Sequence, residues 1–533
     1  MTIYQVFTRL FGNDKTNCIP SGTKQQNGCG TMQDFTAKAL EQIRGLGCTH
    51  IWYTGIIEHA SKTDYSAYGI SKDNPDVVKG EAGSPYAIRD YYDVDPDLAK
   101  DVSKRIREFE LLVERTHRAG LKVIIDFVPN HVARQYHSDA KPKGVRDLGE
   151  DDDSTLSYTP DNNFYYIPGE QLHLDNILPE STYQEFPAKA TGNDNFTSWP
   201  GKNDWYETVK LNYGPNTYQK MLHILLYWAA KGIDGFRCDM AEMVPVEFWE
   251  WALPQVKAAY PNIIFIAEVY NPSLYRDYIH RGHFDYLYDK VGLYDTLLNV
   301  CKGQQSTQSI TACWQAVDDI RGHMLNFLEN HDEQRLASDF LLGGAEKALP
   351  ALIVSAFMPC PFMLYFGQEL GERGMDTEGF SGRDGRTTIF DYWSVPTIRR
   401  WRNKGHFDGK LLTQEESSLQ KTYQTILQLR EQAEWANGDF YDLMYVNGHL
   451  TRQYAFIRHS GNRFALIIAN FSDQEETISL NIPKHFFDYT DIKEKAKVIL
   501  TNRLNSNRIA ISFTSFKSLC ITLPANFGVV LED

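Results

Sequence analysis

Short apolar segments alternate with amphipathic segments from residue 3 to residue 438. The apolar segments predict strands because they are short and rich in β-branched and aromatic residues. They begin near Ile3, His50, Leu121, Ile233, Ile263, Phe284, Met324 and Pro361. Amphipathic stretches such as Met32 to Arg44, Ser103 to Ala119 and Leu419 to Ala436 predict helices between them. Eight strands that alternate with helices predict an α/β fold, the closed (β/α)8 TIM barrel.

Two parts of the chain break this alternation. After His131 no strand or helix pattern is evident until about Tyr218, and the intervening segment is rich in Gly, Asp, Asn and Tyr. Because ordinary connections span about 4–6 residues, this length predicts an inserted subdomain after the third strand. From Asp439 onward, short alternating segments such as Phe464 to Asn470 predict a C-terminal β-sandwich. We therefore expect a barrel over 1–131 and 215–438, an insert over 132–214 and a β domain over 439–533.

Two further stretches have a distinct character. Gly83 to Pro96 has turn residues at both ends and aromatics between them, which predicts a loop. Ala348 to Gly367 is the longest uncharged run and reaches membrane-span length, but Pro350, Pro359 and Pro361 interrupt it. We interpret it as a buried helix followed by a buried strand.

Composition limits the classes of partner. Hydrophobic residues make up 42% and charged residues 23%, as is ordinary for a globular enzyme. The formal net charge of −15 argues against nucleic acid or an anionic membrane surface as the main partner. The acidic run from Gly149 to Asp153 is interpreted as a solvated turn in preference to a cation site. The sequence gives no indication of oligomeric state.

The cysteines and the first residues bear on the cellular compartment. Eight cysteines are scattered without a CxxC pair or zinc-like spacing, so we expect them to be mostly reduced, with a Cys18–Cys29 bridge as the minor alternative. The chain opens on the strand Ile3 to Phe7, so no signal peptide is visible and a cytoplasmic location is expected. A chain from which a leader had been removed would begin in the same way.

Polar residues recur at the carboxyl ends of the predicted strands, where a (β/α)8 barrel places its active site. An isolated Arg–x–Asp pair is usually a structural ion pair, but here four strand ends carry such groups. They are Asp126, Asn130 and His131; Arg237 and Asp239; Glu268; and Asn330, His331 and Asp332. Arg237 and Asp239 share one strand face because strand side chains alternate. An arginine beside a carboxylate keeps it ionised, as a nucleophilic aspartate requires.

These segments resemble the four best-known motifs of the α-amylase superfamily (glycoside hydrolase family 13). They read DFVPNH from Asp126, GFRCDM from Gly235, AEV from Ala267 and FLENHD from Phe327, in the family's order. The resemblance implies Asp239 as nucleophile, Glu268 as general acid/base and Asp332 as the carboxylate that stabilises the transition state. It further implies that Arg237 keeps Asp239 ionised, that His131 and His331 bind sugar hydroxyls, and that Tyr86 stacks on the sugar.

Glycosidic cleavage requires the same groups on chemical grounds. A retaining mechanism needs one ionised carboxylate to attack and one protonated carboxyl to assist the leaving oxygen, about 5–5.5 Å apart. Asp239 beside Arg237 suits the first task, and Glu268 after an apolar strand suits the second. The expected function is hydrolysis of α-1,4 bonds in maltooligosaccharides or starch fragments. Alternatives are an α-glucan transglycosylase, an α-glucosidase acting on trehalose or isomaltose, and, more remotely, a non-catalytic glucan-binding protein.

The sequence departs from calcium-dependent relatives at their standard ion site. Asn130 is present, but the second motif reads TVKLN from Thr208 and the fourth residue after Asp239 is Met243. Because Lys is a cation and Met a poor ligand for a hard ion, we expect no calcium there, with Lys210 supplying the charge instead. No cofactor is expected to be required, and a non-standard calcium site, for instance at Asn13 and Asp14, remains open.

Three further positions bear on substrate preference. TVKLN is similar to the MPKLN motif of neopullulanase, cyclomaltodextrinase and maltogenic amylase enzymes, which implies small maltodextrins as substrates. Glu242 stands where many amylases have a lysine, and Ala87 stands where α-glucosidases often have an aspartate. The latter two departures leave the bond and chain-end preference open.

Overall fold

The computed structural model describes residues 1–533, and the predicted barrel is confirmed. Eight parallel strands form a closed barrel in which every strand pairs with its neighbours in sequence order. They are β1 (Thr2–Phe7), β2 (His50–Thr54), β3 (Lys122–Phe127), β4 (Gly235–Cys238), β5 (Ile264–Ala267), β6 (Tyr286–Tyr288), β7 (Met324–Phe327) and β8 (Phe362–Tyr365). Their carboxyl ends therefore meet at one face of the barrel.

Helices surround the barrel and cover the outer faces of the strands. The helix Arg105–Arg118 shows why: Phe109, Leu112, Val113 and Thr116 recur at helical spacing and are all buried. The other α-helices of at least six residues in the barrel are Ala37–Gly45, Pro215–Ala229, Val246–Ala259, Tyr275–His280, Asp295–Cys301, Gln308–Ala316, Leu349–Phe357, Pro396–Arg402 and Gln414–Gln432. Thr413 starts the last of these by forming a capping box with Glu416.

The segment after β3 contains little regular structure, as predicted for an insert. Its two small antiparallel sheets pair His131–Ala133 with Thr208–Lys210, and Tyr166–Ile167 with Ala188–Lys189. The first pairing brings the end of the insert back beside His131. The insert therefore begins and ends at the carboxyl face of the barrel.

The loop predicted over Gly83 to Pro96 is wrong in its middle part. Ile88–Val94 forms a strand that pairs antiparallel with Ile57–His59, which continues beyond β2. The pattern was misleading because all seven residues of this strand are buried, including Arg89, Asp90 and Asp93, so polar and apolar residues do not alternate. This hairpin lies beside the start of the insert, where His137 donates its backbone N–H to the Arg89 carbonyl.

The C-terminal region is built mainly of antiparallel strands, as expected. Six strands form one sheet and two form another, with a short helix at Lys484–Tyr489. The six are Asp439–Asp442, Gln453–Ser460, Arg463–Asn470, Lys495–Asn502, Arg508–Phe513 and Phe527–Glu532, and the two are Glu476–Leu480 and Leu519–Leu523. The domain limits drawn from the sequence stay predictions.

Three smaller expectations can be compared with the structure. All eight cysteines are unpaired, so the alternative Cys18–Cys29 bridge is absent. The uncharged run contains the buried helix Leu349–Phe357 and the buried strand β8, as interpreted. None of the helices combines the length and the apolar character that crossing a bilayer would require.

Candidate active site

The Arg237 side chain is the centre of the site and is completely buried. Its Nη1 donates to Asp239 Oδ1 at 2.7 Å, and its Nε donates to the Tyr288 hydroxyl at 3.1 Å. Its Nη2 lies 2.7 Å from Glu268 Oε2, a close ion pair without hydrogen-bond alignment. Asp126, opposite Arg237 in the β3–β4 register, lies 3.6 Å from Nη1. One guanidinium therefore holds together acidic residues from three neighbouring strands or strand ends.

Glu268 is fixed by donors on both of its carboxyl oxygens. The Met240 backbone N–H donates to Oε2 at 2.8 Å, and the Tyr270 hydroxyl donates to Oε1 at 2.6 Å. Met240 adopts a left-handed conformation with φ 42° and ψ 42°, which is unfavourable for a residue with a side chain. The backbone of Met240, directly after Asp239, is therefore strained, and its N–H group is the one that holds the Glu268 carboxyl group.

Burial governs the protonation of the acids. It raises the pKa of Asp239, and the adjacent Arg237 guanidinium opposes that rise. Burial likewise raises the pKa of Glu268, with Arg237 opposing and Asp239 reinforcing the rise. Burial first, and the Glu268 carboxylate second, raise the pKa of Asp332 well above its usual range. Because Asp332 keeps 35% of its side chain exposed, solvent reduces that effect.

Asp332 lies next to a buried group formed by His331 and Tyr86. His331 Nε2 is 3.1 Å from Asp332 Oδ2 and 2.6 Å from the Tyr86 hydroxyl, and its Nδ1 is 2.8 Å from the Gln5 amide nitrogen. The Tyr86 and His331 rings are stacked with centroids 5.0 Å apart. Burial lowers the pKa of His331 well below its usual range, so the ring is neutral.

His131 faces the same cavity from the side of the insert. Its ring centroid lies 5.2 Å from that of Trp205, and its Nδ1 lies 3.1 Å from the Asn130 side-chain nitrogen. Burial lowers the pKa of His131 to about 3. A neutral imidazole suits hydrogen bonding to a sugar hydroxyl, because it offers one donor and one acceptor.

Five of the seven predicted site residues line one cavity of about 370 Å³, and His331 is not among them. Tyr86, His131, Asp239, Glu268 and Asp332 line it, while Arg237 lies beneath them. A larger cavity of about 650 Å³ lies near Glu372 and Glu416 and contains none of the predicted site residues. The smaller cavity is therefore the candidate active site, since it brings together Asp239, Glu268 and Asp332, three acids with raised pKa values at the carboxyl ends of the barrel strands.

Several cavity residues were not predicted from the sequence. Lys79, Trp205, Glu207, Tyr270, Phe380 and Phe390 also line the cavity. Most of them lie outside regular structure and carry no motif, so only the fold brings them there. Tyr270 did carry a signal, because it follows Glu268 by only two residues at the carboxyl end of β5.

Glu242 has a different role from the lysine found at its position in many amylases. Its Oε2 accepts the backbone N–H groups of Tyr270 and Asn271 at 3.0 Å and 2.9 Å. The carboxylate thus orients the loop whose Tyr270 hydroxyl contacts Glu268.

Lys210 lies at the junction of insert and barrel. Its ammonium contacts Asp194 Oδ1 at 2.7 Å and the Met243 carbonyl at 3.1 Å, and it also donates to Asn130 Oδ1. An amide oxygen, a carboxylate and a carbonyl are ligands that calcium accepts. Here these oxygen atoms surround the Lys210 ammonium, which already supplies the positive charge, so this set of residues does not fit a metal ion. Asp14, considered above for calcium, is likewise paired with Arg402 at 2.6 Å.

The fold and the site define a class of protein. The protein is a (β/α)8 barrel with three acidic side chains and a shared arginine at the carboxyl ends of its strands. Together with the match to a family profile, these features define a glycoside hydrolase of the α-amylase type. The chain belongs to the α-amylase family, since the family profile described as "Alpha amylase, catalytic domain" matches residues 5–438.

Named relatives are distant in sequence. Alpha-amylase 3 of Dictyoglomus thermophilum is 23% identical over 80% of this chain and 76% of its own length. Neopullulanase 2 of Thermoactinomyces vulgaris is 20% identical over 90% of this chain and 71% of its own length. A cyclomaltodextrinase of Thermoanaerobacter pseudethanolicus is 22% identical over 92% of this chain and 74% of its own length.

A solved structure shares the fold across the chain. The α-amylase of Geobacillus thermoleovorans, determined in complex with acarbose, gives a TM-score of 0.66 at 20% identity, over 100% of this chain and 97% of that one. This likeness extends from the barrel to the C-terminal β region.

Proposed function

We propose that this protein is a retaining α-glycosidase that hydrolyses α-1,4-glucosidic bonds of maltooligosaccharides. The single observation that carries the proposal is the contact of Asp239 and Glu268 with one buried guanidinium at the wall of one cavity. That arrangement suits a mechanism in which one carboxylate attacks while a second carboxyl group donates a proton.

In the proposed reaction Glu268 gives its proton to the glycosidic oxygen while Asp239 Oδ attacks the anomeric carbon. The bond to the leaving sugar breaks and a covalent glucosyl–Asp239 ester forms. Glu268, now a carboxylate, takes a proton from water, whose oxygen attacks the same carbon and releases Asp239. Two inversions give a product of α configuration. Asp332, His331, His131 and Tyr86 bind the distorted sugar.

The cavity supports short substrates. Its volume of about 370 Å³ lies at the low end of the range for small-molecule pockets. Aromatic side chains of Tyr86, Trp205, Phe380 and Phe390 line it, as suits apolar sugar faces. The relative named cyclomaltodextrinase supports the same class of small glucan.

Product analysis tests this function against its alternatives. We expect maltoheptaose to yield shorter maltooligosaccharides whose newly formed ends are initially in the α configuration, as followed by NMR. Pullulan and cyclodextrins test linkage and shape in parallel assays. Products longer than the substrate would identify a transglycosylase instead. Cleavage of trehalose or isomaltose without cleavage of maltoheptaose would identify a disaccharide α-glucosidase.

Tyr270→Phe is expected to move the alkaline limb of the kcat/KM profile to higher pH. The Tyr270 hydroxyl bonds to the ionised form of Glu268 and lowers the pKa of that carboxyl group. Without it the pKa rises, so the protonated acid persists to higher pH. Because kcat/KM reports the free enzyme, the pH dependence of initial rates measures the shift.

Tyr275→Phe is the matched control for that variant. Tyr275 is a buried tyrosine, whereas Tyr270 is partly buried. The Tyr275 hydroxyl has no hydrogen-bond partner, and the residue does not line the cavity. The control profile should coincide with that of the wild type. An unchanged or downward-shifted alkaline limb in Tyr270→Phe would contradict the assignment of that limb to Glu268.

A further inference from the structure

Three acidic side chains form a buried cluster outside the candidate active site. Glu58 lies in the short strand Ile57–His59, opposite Asp90 of Ile88–Val94, and Asp93 lies further along the latter strand. One carboxylate oxygen from each lies within 4.8 Å of the other two. The three residues are 1%, 0% and 0% exposed. Three neighbouring carboxylates buried from solvent are unfavourable unless positive charge or protons compensate them.

The protein compensates these carboxylates unequally. Arg105 pairs with both oxygens of Asp93: its Nε donates to Oδ1 at 2.8 Å, and its Nη2 donates to Oδ2. Asp90 accepts hydrogen bonds from the Ser138 hydroxyl and the Tyr92 and Ala140 backbone N–H groups at 2.6–2.9 Å, all from uncharged donors. Glu58 Oε2 is fully inaccessible and has no hydrogen-bond partner. The cluster thus has three carboxylates, one paired cation and an oxygen without a donor.

Two other basic side chains of the hairpin are already engaged elsewhere. Arg89 donates to Asp73 at 2.8 Å, and His59 lies 2.8 Å from Asp95. Neither is therefore free to pair with Glu58. An unpaired carboxylate oxygen that is buried between two other carboxylates is the arrangement that a bound cation would complete.

We propose that Glu58, Asp90 and Asp93 form a structural calcium site. Calcium binds oxygen ligands at 2.3–2.6 Å, so oxygens on opposite sides of one ion are about 5 Å apart, which accommodates the observed separations. All the side-chain ligands are carboxylates, which excludes a preference for softer metals. Magnesium is disfavoured because it dehydrates reluctantly and usually keeps several waters, whereas this cluster is almost inaccessible.

The ion would connect three parts of the fold. Glu58 and the two aspartates belong to the hairpin, Arg105 begins the helix that follows β2, and Ser138 and Ala140 belong to the insert. This site is separate from the Lys210 junction. Its expected effect is on stability, and it does not depend on the proposed glycosidase reaction.

Metal content and thermal unfolding test the proposal directly. The purified chain is dialysed against metal-free buffer, its calcium is measured by mass spectrometry, and Tm is followed with chelator or added CaCl2. We expect about one calcium per chain, a lower Tm in chelator and recovery with calcium, because a ligand that binds only the folded state stabilises it. Glu58→Gln should lose both the ion and the calcium-dependent rise in Tm.

Glu150→Gln is the matched control, since Glu150 belongs to the acidic run of the insert and is partly exposed beside Arg146. The Glu150→Gln variant should keep both the bound calcium and the calcium-dependent rise in Tm. A wild-type chain with no calcium, and a Tm that neither chelator nor calcium changes, would overturn the site in favour of a proton shared within the cluster. Calcium retained by Glu58→Gln would also overturn it. If Glu58→Gln does not fold, Asp90→Asn takes its place in the same measurements, with the same two outcomes.

Discussion

Replacing Asp239 with asparagine is expected to lower kcat on maltooligosaccharides by roughly four to six orders of magnitude. The amide is not a nucleophile at neutral pH, so the covalent intermediate cannot form. Asparagine has nearly the same shape, and its oxygen can still accept the Arg237 hydrogen bond now made by Asp239 Oδ1. Steady-state kinetics on maltoheptaose, compared with the wild type at the same enzyme purity, measure the loss.

The same variant should be at least as stable as the wild type. The folded-state pKa of Asp239 is raised, so the folded protein binds this proton more tightly than the unfolded chain does. Such a group stabilises the protein at low pH, and that contribution is lost as pH rises from the unfolded toward the folded pKa. At neutral pH the ionised carboxylate therefore destabilises the fold, and asparagine removes that cost. An equal or higher Tm at pH 7 checks this.

Asp234→Asn is the control for the nucleophile assignment. Asp234 precedes the same strand β4 at its opposite end, where it contacts His117 and the Val123 N–H group. This substitution makes the same chemical change far from the cavity, and activity should persist. Undiminished turnover in Asp239→Asn, or equal losses in both variants, would contradict the proposed role of Asp239.

Sequence patterns predicted the barrel because its signals are local and repeated. Each strand is a short apolar run, and each polar site residue follows such a run, so the common edge of a parallel barrel brings them together. Asp239, Glu268 and Asp332 could be placed in this way although 93 residues separate the first from the last. The lengths of the strands mattered little, since only their carboxyl ends carry the site.

The contacts between those residues could not be predicted in the same way. The sequence suggested that Arg237 serves Asp239, but the guanidinium also contacts Glu268 and lies near Asp126. Sharing one cation among three acids depends on strand register, which alternation alone does not determine. The left-handed Met240 has no sequence signal either, because residues with side chains adopt that conformation only where surrounding structure imposes it.

The strand Ile88–Val94 shows a different limit. Its buried acids looked like loop residues, since charged groups are rarely buried without partners. Arg105 and the insert backbone supply partners that are distant in sequence. Tertiary contacts therefore reverse the local preference in this strand. The same reversal places the acidic cluster of Glu58, Asp90 and Asp93 inside the protein.

Glu268→Gln is expected to lower kcat on maltooligosaccharides by roughly two to four orders of magnitude, the usual contribution of a general acid. Glutamine cannot protonate the glycosidic oxygen, so the departing sugar must leave as an alkoxide, which is a poor leaving group. An α-maltosyl fluoride substrate should restore formation of the covalent intermediate, here a maltosyl–enzyme, because fluoride departs without a proton. Rapid-quench measurement of fluoride release, compared with maltoheptaose turnover, separates the two effects.

The second half of the reaction distinguishes the two acids. In Glu268→Gln no base activates water, but azide needs no base and should attack the intermediate from the face opposite Asp239. The product would be an α-maltosyl azide, identified by NMR. Asp239→Asn should form no such intermediate, so the fluoride substrate should not restore its turnover. If fluoride fails to restore Glu268→Gln, or if the azide product has β configuration, Glu268 is not the acid/base of a retaining enzyme.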